Sequence, residues 1–227
     1  MKTEVLYCAT EVAANLVREI CIKLDRKQEL EGKVSLIKDD RTSTVFHYRT
    51  KEYSWIIKRY NRKNLWHGFR RNFQKSRAVN NFEVGRIFED LGILVPATVA
   101  VLEERQVFLK GRSWYVSQYI EGQTLLSYLF ENPETSNFDV ILGLVARLFG
   151  IIKQNALSHG DMKASNLILA NQDDDISIFV IDLDAAQYGL GPRRHARAYS
   201  KDIQRFLKNW HRMPVIHDSF KQRLQVI

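Results

Sequence analysis

His159-Gly160-Asp161-Met162-Lys163-Ala164-Ser165-Asn166, followed after an apolar run by Val180-Ile181-Asp182-Leu183-Asp184, decides the fold. The shape is H-G-D-x-K-x-x-N, then a hydrophobic strand, then a second aspartate 21 residues after the first. Phosphoryl transfer needs such a set. One carboxylate accepts or orients a hydroxyl proton, a lysine sits near the γ-phosphate, and an asparagine with a second aspartate supplies hard oxygen ligands for Mg²⁺.

Working outward, Trp55-Ile56-Ile57-Lys58 stands at the end of the third strand-like segment. A kinase-like fold presents there the lysine that pairs with the α- and β-phosphates of ATP. Glu83, on a helical pattern further on, is placed to hold that lysine. Either residue alone is commonplace on a protein surface. Their order relative to the Asp161 and Asp182 segments gives them meaning.

The flanking periodicity fits that order. Val12, Leu16, Ile20 and Leu24 make a helical stripe over Glu11 to Leu24, with Gly32 as a stop. The runs Val34–Ile37, Thr44–Tyr48 and Tyr53–Tyr60 are β-branched and aromatic and read as an antiparallel meander. Asn61 to Asp90 is mostly helical in pattern, ending at Leu91-Gly92-Ile93, and Thr98–Leu102, Gln106–Leu109 and Ser113–Tyr119 are strand-like. The composition changes at Glu121-Gly122-Gln123, the expected hinge. Beyond it Phe138, Ile141, Leu142, Val145, Leu148, Phe149 and Ile152 form an apolar helix face capped by Ser136 or Asn137. Leu167–Ala170 and Ile176–Ile181 read as a hairpin, with Asp173-Asp174-Asp175 as its turn and not a metal site. Ser200 is expected to cap a helix carrying Ile203, Phe206, Leu207 and Trp210, with Pro214 beyond its end. The expectation is an α+β, two-lobed chain: residues 1–120 as an antiparallel-sheet N-lobe with two helices, and 121–227 as a small helical C-lobe.

Composition agrees with a folded chain of this size. The 227 residues are 45% hydrophobic, with few Gly and Pro, which excludes disorder as the main state. Cys8 and Cys21 are too few for a disulfide framework and have no partners at zinc spacing. Glu4, Glu11 and Glu19 interrupt any signal-like apolar run, and the longest uncharged apolar stretch, Leu91 to Leu102, is broken by Pro96 and too short to span a bilayer. These features predict a cytoplasmic location. The formal net charge of +8 is concentrated between Lys58 and Arg77, where eight basic residues stand without an acid. Leu65, Trp66, Phe69 and Phe73 interleave with them at helical spacing. This describes either a helix lying on an anionic membrane surface or an amphipathic helix packed on the N-lobe. No base-reading motif accompanies the patch, which argues against nucleic acid as the partner.

The whole pattern resembles the lipopolysaccharide core kinases, the Kdo/WaaP group, which are distant relatives of protein kinases. The residues that carry the resemblance are Lys58-Arg59-Tyr60 with the basic run, Asn81-Phe82-Glu83, Leu91-Gly92-Ile93 with Pro96, Gln118-Tyr119-Ile120-Glu121-Gly122, and the Asp161 and Asp182 segments. It implies a protein-kinase-like fold using ATP and Mg²⁺. Asp161 is the base or hydroxyl-orienting group, Lys163 the γ-phosphate contact, Asn166 and Asp182 the metal ligands, and Lys58 with Glu83 the nucleotide ion pair. It further implies a heptose or Kdo hydroxyl of the lipopolysaccharide inner core as acceptor. The enzyme would then sit at the cytoplasmic face of a Gram-negative inner membrane, touching its anionic surface through residues 58–77. His159 is read as the scaffold of its loop. Asp184 is either a further metal ligand or a cap, Asp202 either a holder of the catalytic loop or an ordinary helix acid, and Arg193, Arg194, His195 and Arg197 either acceptor contacts or a solvated loop.

The sequence also departs from protein kinases. No G-x-G-x-x-G lies between the first two strands, where Asp39-Asp40-Arg41-Thr42-Ser43 stands, and Gly160 replaces a common arginine. No A-P-E follows, and Asp184 to Ser200 is only seventeen residues. Peptide-substrate machinery is therefore not expected. The alternatives are another small-molecule or protein kinase of this fold and a catalytically silent module that binds an anionic surface.

Overall fold

The computed structural model describes residues 2–61, 75–106, 109–172 and 175–225. They divide into two compact units, Met1–Glu83 with Pro96–Tyr119 and Val84–Val95 with Ile120–Ile227.

The first unit is built on a six-stranded sheet in the order β1-β5-β6-β4-β3-β2, antiparallel at every pairing. Its strands are β1 (Lys2–Cys8), β2 (Lys33–Asp39), β3 (Ser43–Arg49), β4 (Ser54–Tyr60), β5 (Thr98–Gln106) and β6 (Leu109–Gln118). The β2–β3–β4 meander is as the sequence predicts. Helix α1 (Glu11–Arg26) starts at Thr10, whose hydroxyl accepts the Ala13 N–H at 3.3 Å. It buries Val17, Ile20 and Cys21 in a core with Trp55, Ile57, Ala100, Leu102, Trp114 and Val116. Leu16 and Leu24 of the expected stripe flank that face, packed only in part. Burial pushes the Cys21 thiol well above the usual range, which leaves it an inert core residue.

Two features of the sheet differ from expectation. Strand β1 was not foreseen, although Thr3, Val5 and Tyr7 face inward in alternation with the exposed Glu4 and Leu6. Seven residues with so many polar members make a weak pattern. The three short strands expected between Thr98 and Tyr119 are two long ones, because β5 and β6 stay paired out to Gln106 and Leu109.

Helix α2 (Arg77–Asp90) closes with a glycine stop. Gly92 sits at φ +75°, its N–H bonds Glu89 O at 2.9 Å, and the Ile93 N–H reaches Phe88 O at 2.9 Å. These two bonds satisfy carbonyls that the helix end leaves open. The expected helix through Leu65, Trp66, Phe69 and Phe73 lies outside the described residues.

The second unit pairs a three-stranded sheet, β7 (Gln123–Thr124), β8 (Leu167–Gln172) and β9 (Asp175–Val180), with four helices, α3 (Leu125–Glu131), α4 (Phe138–Gln154), α5 (Pro192–Lys208) and α6 (Pro214–Gln225). The predicted face of α4 forms the core: Ile141, Val145, Leu148, Phe149 and Ile152 are buried with Phe206, Trp210 and Phe220. The rings of Phe149, Phe206 and Phe220 meet edge to face at 5.4 and 5.0 Å. Asn137 stands at the start of α4 without a side-chain cap bond. Helix α3, too short to show a period, is capped by Thr124, whose hydroxyl accepts the Ser127 N–H at 3.1 Å.

The helix expected to begin at Ser200 begins instead at Pro192, with proline in its first turn, and Ser200 lies exposed in its middle. Arg193, Arg194, His195 and Arg197 are therefore helical and not a loop. Their stretch lacks apolar periodicity because only Tyr199, Asp202 and Phe206 turn fully inward. Pro214 likewise opens a further helix, α6, whose Ile216, Phe220 and Leu224 return to the core.

Candidate active site

The loop carrying Asp161 is held from beneath by one carboxylate. Asp202, fully buried on α5, accepts with a single oxygen the Ser158 hydroxyl at 2.7 Å, the His159 N–H at 2.8 Å and the Gly160 N–H at 3.2 Å. Of the two readings of Asp202, the structure supports the loop holder.

His159 is the scaffold the sequence suggests. Its ring is fully buried, its Nδ1 accepts the Asp161 N–H at 3.3 Å, and its Nε2 therefore donates to Ile181 O at 3.0 Å. Burial pushes its pKa below the ordinary histidine value and keeps the ring neutral. The imidazole thus links the Asp161 loop to the strand end that carries Asp182.

Gly160 explains why no arginine stands there. Its φ is +77°, and a Cβ would lie 2.3 Å from the Ala185 carbonyl oxygen. The two loops approach so closely that only glycine fits.

Asp161 itself is about one-third exposed. Lys163 Nζ lies 2.7 Å from one of its carboxylate oxygens and Arg205 Nε 3.9 Å from the other. The Arg205 guanidinium also donates to the Gly160 carbonyl. Ala164–Asn166 forms one 3-10 turn, from which Asn166 Nδ2 donates to Asp161 O at 2.9 Å, while Asn166 O accepts the Ile181 N–H at 2.9 Å. Asp182 follows at φ +63°, ψ +52°, a left-handed backbone that aspartate tolerates better than most residues. Ser158 and Gln187 close the far end with a reciprocal backbone pair at 3.0 and 2.8 Å.

Four of the six expected residues, Asp161, Lys163, Asn166 and Asp182, therefore lie on two loops bonded to each other within the second unit. The other two belong to the first unit. Lys58 is on β4 opposite Val45 and Tyr115, with Nζ 5.3 Å from the centre of the Tyr60 ring. Glu83 is on α2 and forms an ion pair of 2.5 Å with Lys75. Sequence reasoning missed Lys75 and Arg205 as neighbours of site residues. For Arg205 a signal existed, since it lies one helical turn after Asp202.

The donor set bears on the metal. Among the described residues no cluster of three or more His, Cys, Asp or Glu side chains is arranged to hold an ion. Asn166 donates its amide N–H to Asp161 O, and its Oδ1 and the Asp182 carboxylate would be the oxygens available to a metal. One carboxylate and one amide oxygen fit Mg²⁺ that arrives on nucleotide phosphates, because that ion keeps most of its shell from water and phosphate.

Comparison with known proteins agrees. The family model described as "Lipopolysaccharide kinase (Kdo/WaaP) family" matches residues 27–224. A curated 3-deoxy-D-manno-octulosonic acid kinase from Pasteurella multocida (strain Pm70) is 23% identical over 167 residues, 70% of this chain and 68% of that protein. Among solved structures, "WaaP in complex with acyl carrier protein" matches at a TM-score of 0.64 and 17% identity, over 100% of this chain and 92% of that one. At that identity the likeness establishes the fold, which is the kinase-like α+β fold expected from the sequence.

Proposed function

The chain belongs to the lipopolysaccharide kinase (Kdo/WaaP) family and is a kinase that phosphorylates a sugar; on that premise we propose that it transfers the γ-phosphoryl group of ATP, with Mg²⁺, to a hydroxyl of an inner-core Kdo residue. Kdo is preferred over heptose because the curated relative carries the name of a Kdo kinase. The basic run from Lys58 to Arg77 is assigned to contact with the anionic cytoplasmic face of a Gram-negative inner membrane.

The observation that supports this best is the bonding of the Asp161 loop to the strand that ends at Asp182. It fixes a proton-handling carboxylate and a metal-binding carboxylate in one frame. Asp161 accepts the hydrogen of the acceptor hydroxyl and aims its oxygen. Lys163, already on that carboxylate, carries positive charge toward the transferring group. Asn166 Oδ1 and Asp182 hold the metal, and Lys58 takes the α- and β-phosphates; Glu83, whose ion pair in this structure is with Lys75, is assigned to that lysine once nucleotide is bound. When bound, Mg²⁺ neutralises phosphate charge that builds up during transfer. Positioning and electrostatics of this kind supply most of the catalysis in phosphoryl transfer.

The test is mass spectrometry of lipopolysaccharide lacking core phosphate after incubation with the protein and Mg-ATP, with Asp161→Asn in parallel. Phosphate gained on Kdo with the unmodified protein alone supports the assignment. Gain on heptose moves the acceptor by one sugar class. Mg-ATP binding without transfer points to a different acceptor, and absence of Mg-ATP binding supports a silent kinase-like module.

A further inference from the structure

Helix α5 carries six basic residues, Arg193, Arg194, Arg197, Lys201, Arg205 and Lys208, all exposed. At 100° per residue they fall within a sector of about 120°. The only acid on the helix, Asp202, is buried on the opposite side under the catalytic loop. Among the described residues, Arg193, Arg194, Arg197, Lys201 and Lys208 make no ion pair. At 1.5 Å per residue the stripe runs about 22 Å. It passes through the site, because Arg205 donates to Gly160 O and approaches Asp161.

We propose that this face of α5 is the docking surface for the acceptor, a saccharide bearing several carboxylate or phosphate groups, and that it leads the acceptor's hydroxyl to Asp161. The proposal rests on the sugar-kinase reading above and extends it to residues outside the phosphoryl-transfer set. The charge pattern favours a soluble-face polyanion over bilayer insertion. An interfacial helix presents an apolar face to lipid, whereas the apolar side of α5, Tyr199 and Phe206, is spent on the core. The residues between the cations on the exposed face are Ser200 and Gln204, which offer hydrogen bonds and nothing to insert. Guanidinium groups at successive turns match carboxylates and phosphates spaced along an oligosaccharide, and arginine binds both bidentately.

The test uses the full chain with Arg194, Arg197 and Lys201 changed together to Gln. Arg205 is left intact because it touches the catalytic loop. The probes are a deacylated inner-core oligosaccharide, the same oligosaccharide after phosphatase treatment, and phosphatidylglycerol vesicles. Three lost surface contacts are expected to raise KM for the untreated oligosaccharide about tenfold, with the loss in KM and not in kcat. The effect shrinks at high salt and with the phosphatase-treated probe, and Arg194→Lys with Arg197→Lys restores only part of the affinity, because lysine returns the charge without the bidentate fork. An unchanged KM overturns the proposal. So does a variant that loses vesicle binding while its oligosaccharide KM stays put, which would assign the face to the membrane. Equilibrium dialysis separates the two readings. If the oligosaccharide binds and the triple variant weakens it, docking stands even where no phosphate is transferred and the Kdo assignment fails.

Discussion

Asp202 Oδ2 accepts the backbone N–H of His159 at 2.8 Å, and the same oxygen takes the Ser158 hydroxyl and the Gly160 N–H. One buried charge on a helix thus satisfies three donors of a loop that has no regular structure of its own. A buried carboxylate is tolerated only when so paired, and buried backbone N–H groups need acceptors. The loop offsets the cost of burying that oxygen, while Asp202 Oδ1 is buried with no hydrogen-bond partner among the described residues.

Removing that carboxylate leaves the Ser158 hydroxyl and the His159 N–H without their acceptor, while the Gly160 N–H keeps only Ser158 Oγ at 3.1 Å. Asp202→Ala is expected to lower global stability by about 2 kcal/mol or more, since each orphaned donor costs about 1 kcal/mol or more. Asp202→Asn retains an acceptor oxygen and is expected to lose less. Urea denaturation of both variants measures the difference, and equal losses would mean that the hydrogen-bond set is not what Asp202 contributes.

Gly160→Ala strains the opposite side of the same loop. The new methyl group meets the Ala185 carbonyl at 2.3 Å while the backbone stays at a positive φ. Backbone on both sides cannot yield as a flexible side chain does, and the Asp161 and Asp182 loops must part. Displacement of about 1 Å at such a site costs on the order of 100-fold in rate. The expected outcome is a folded protein with at least that loss in phosphate transfer, checked by circular dichroism alongside the transfer assay.

His159 predicts how the loop responds to acid. Its folded pKa is held below the ordinary value near 6.5, chiefly by burial, so the unfolded chain binds a proton more readily than the native one. Stability from this residue is therefore complete above about pH 6.5 and declines as pH falls toward the depressed native value. Protonation would also place a hydrogen on Nδ1, where the Asp161 N–H now donates. Melting temperature measured from pH 8 to pH 5 should fall on the acid side, and the fall should be smaller in His159→Gln, which keeps a donor for Ile181 O without a titrating ring.

The segment proposed for catalysis stands out in the sequence because the roles assigned to it are local. Asp161, Lys163 and Asn166 fall within six residues, and each chemistry needs that residue type. The core face of α4 was equally plain, since seven apolar residues recur at helical spacing. The start of α5 was hidden because its first two turns spend their side chains on solvent and show no apolar period. Arg205 was open to inference only through Asp202, one helical turn before it, because its own bond to Gly160 O joins positions 45 residues apart. The Lys75 and Glu83 pair sits on the same footing, with the sequence marking the glutamate and only the fold supplying its neighbour.

Asp182 allows the metal role to be separated from the backbone role. At φ +63° the residue occupies a region open mainly to Gly, Asn and Asp, so Asp182→Asn keeps the local conformation and removes only the charge. Asp182→Ala removes the charge and strains the turn as well. If Asp182 holds Mg²⁺, the Asn variant should melt close to the unmodified protein, lose tenfold or more in Mg-ATP affinity, and bind ATP in EDTA about as well as the unmodified protein does. The Ala variant should show the same nucleotide defect with a lower melting temperature. Calorimetric titration of Mg-ATP and of ATP in EDTA into both variants decides it: an Asn variant with undiminished Mg-ATP affinity would remove Asp182 from the metal site, and an equal loss with and without Mg²⁺ would make it a nucleotide contact instead.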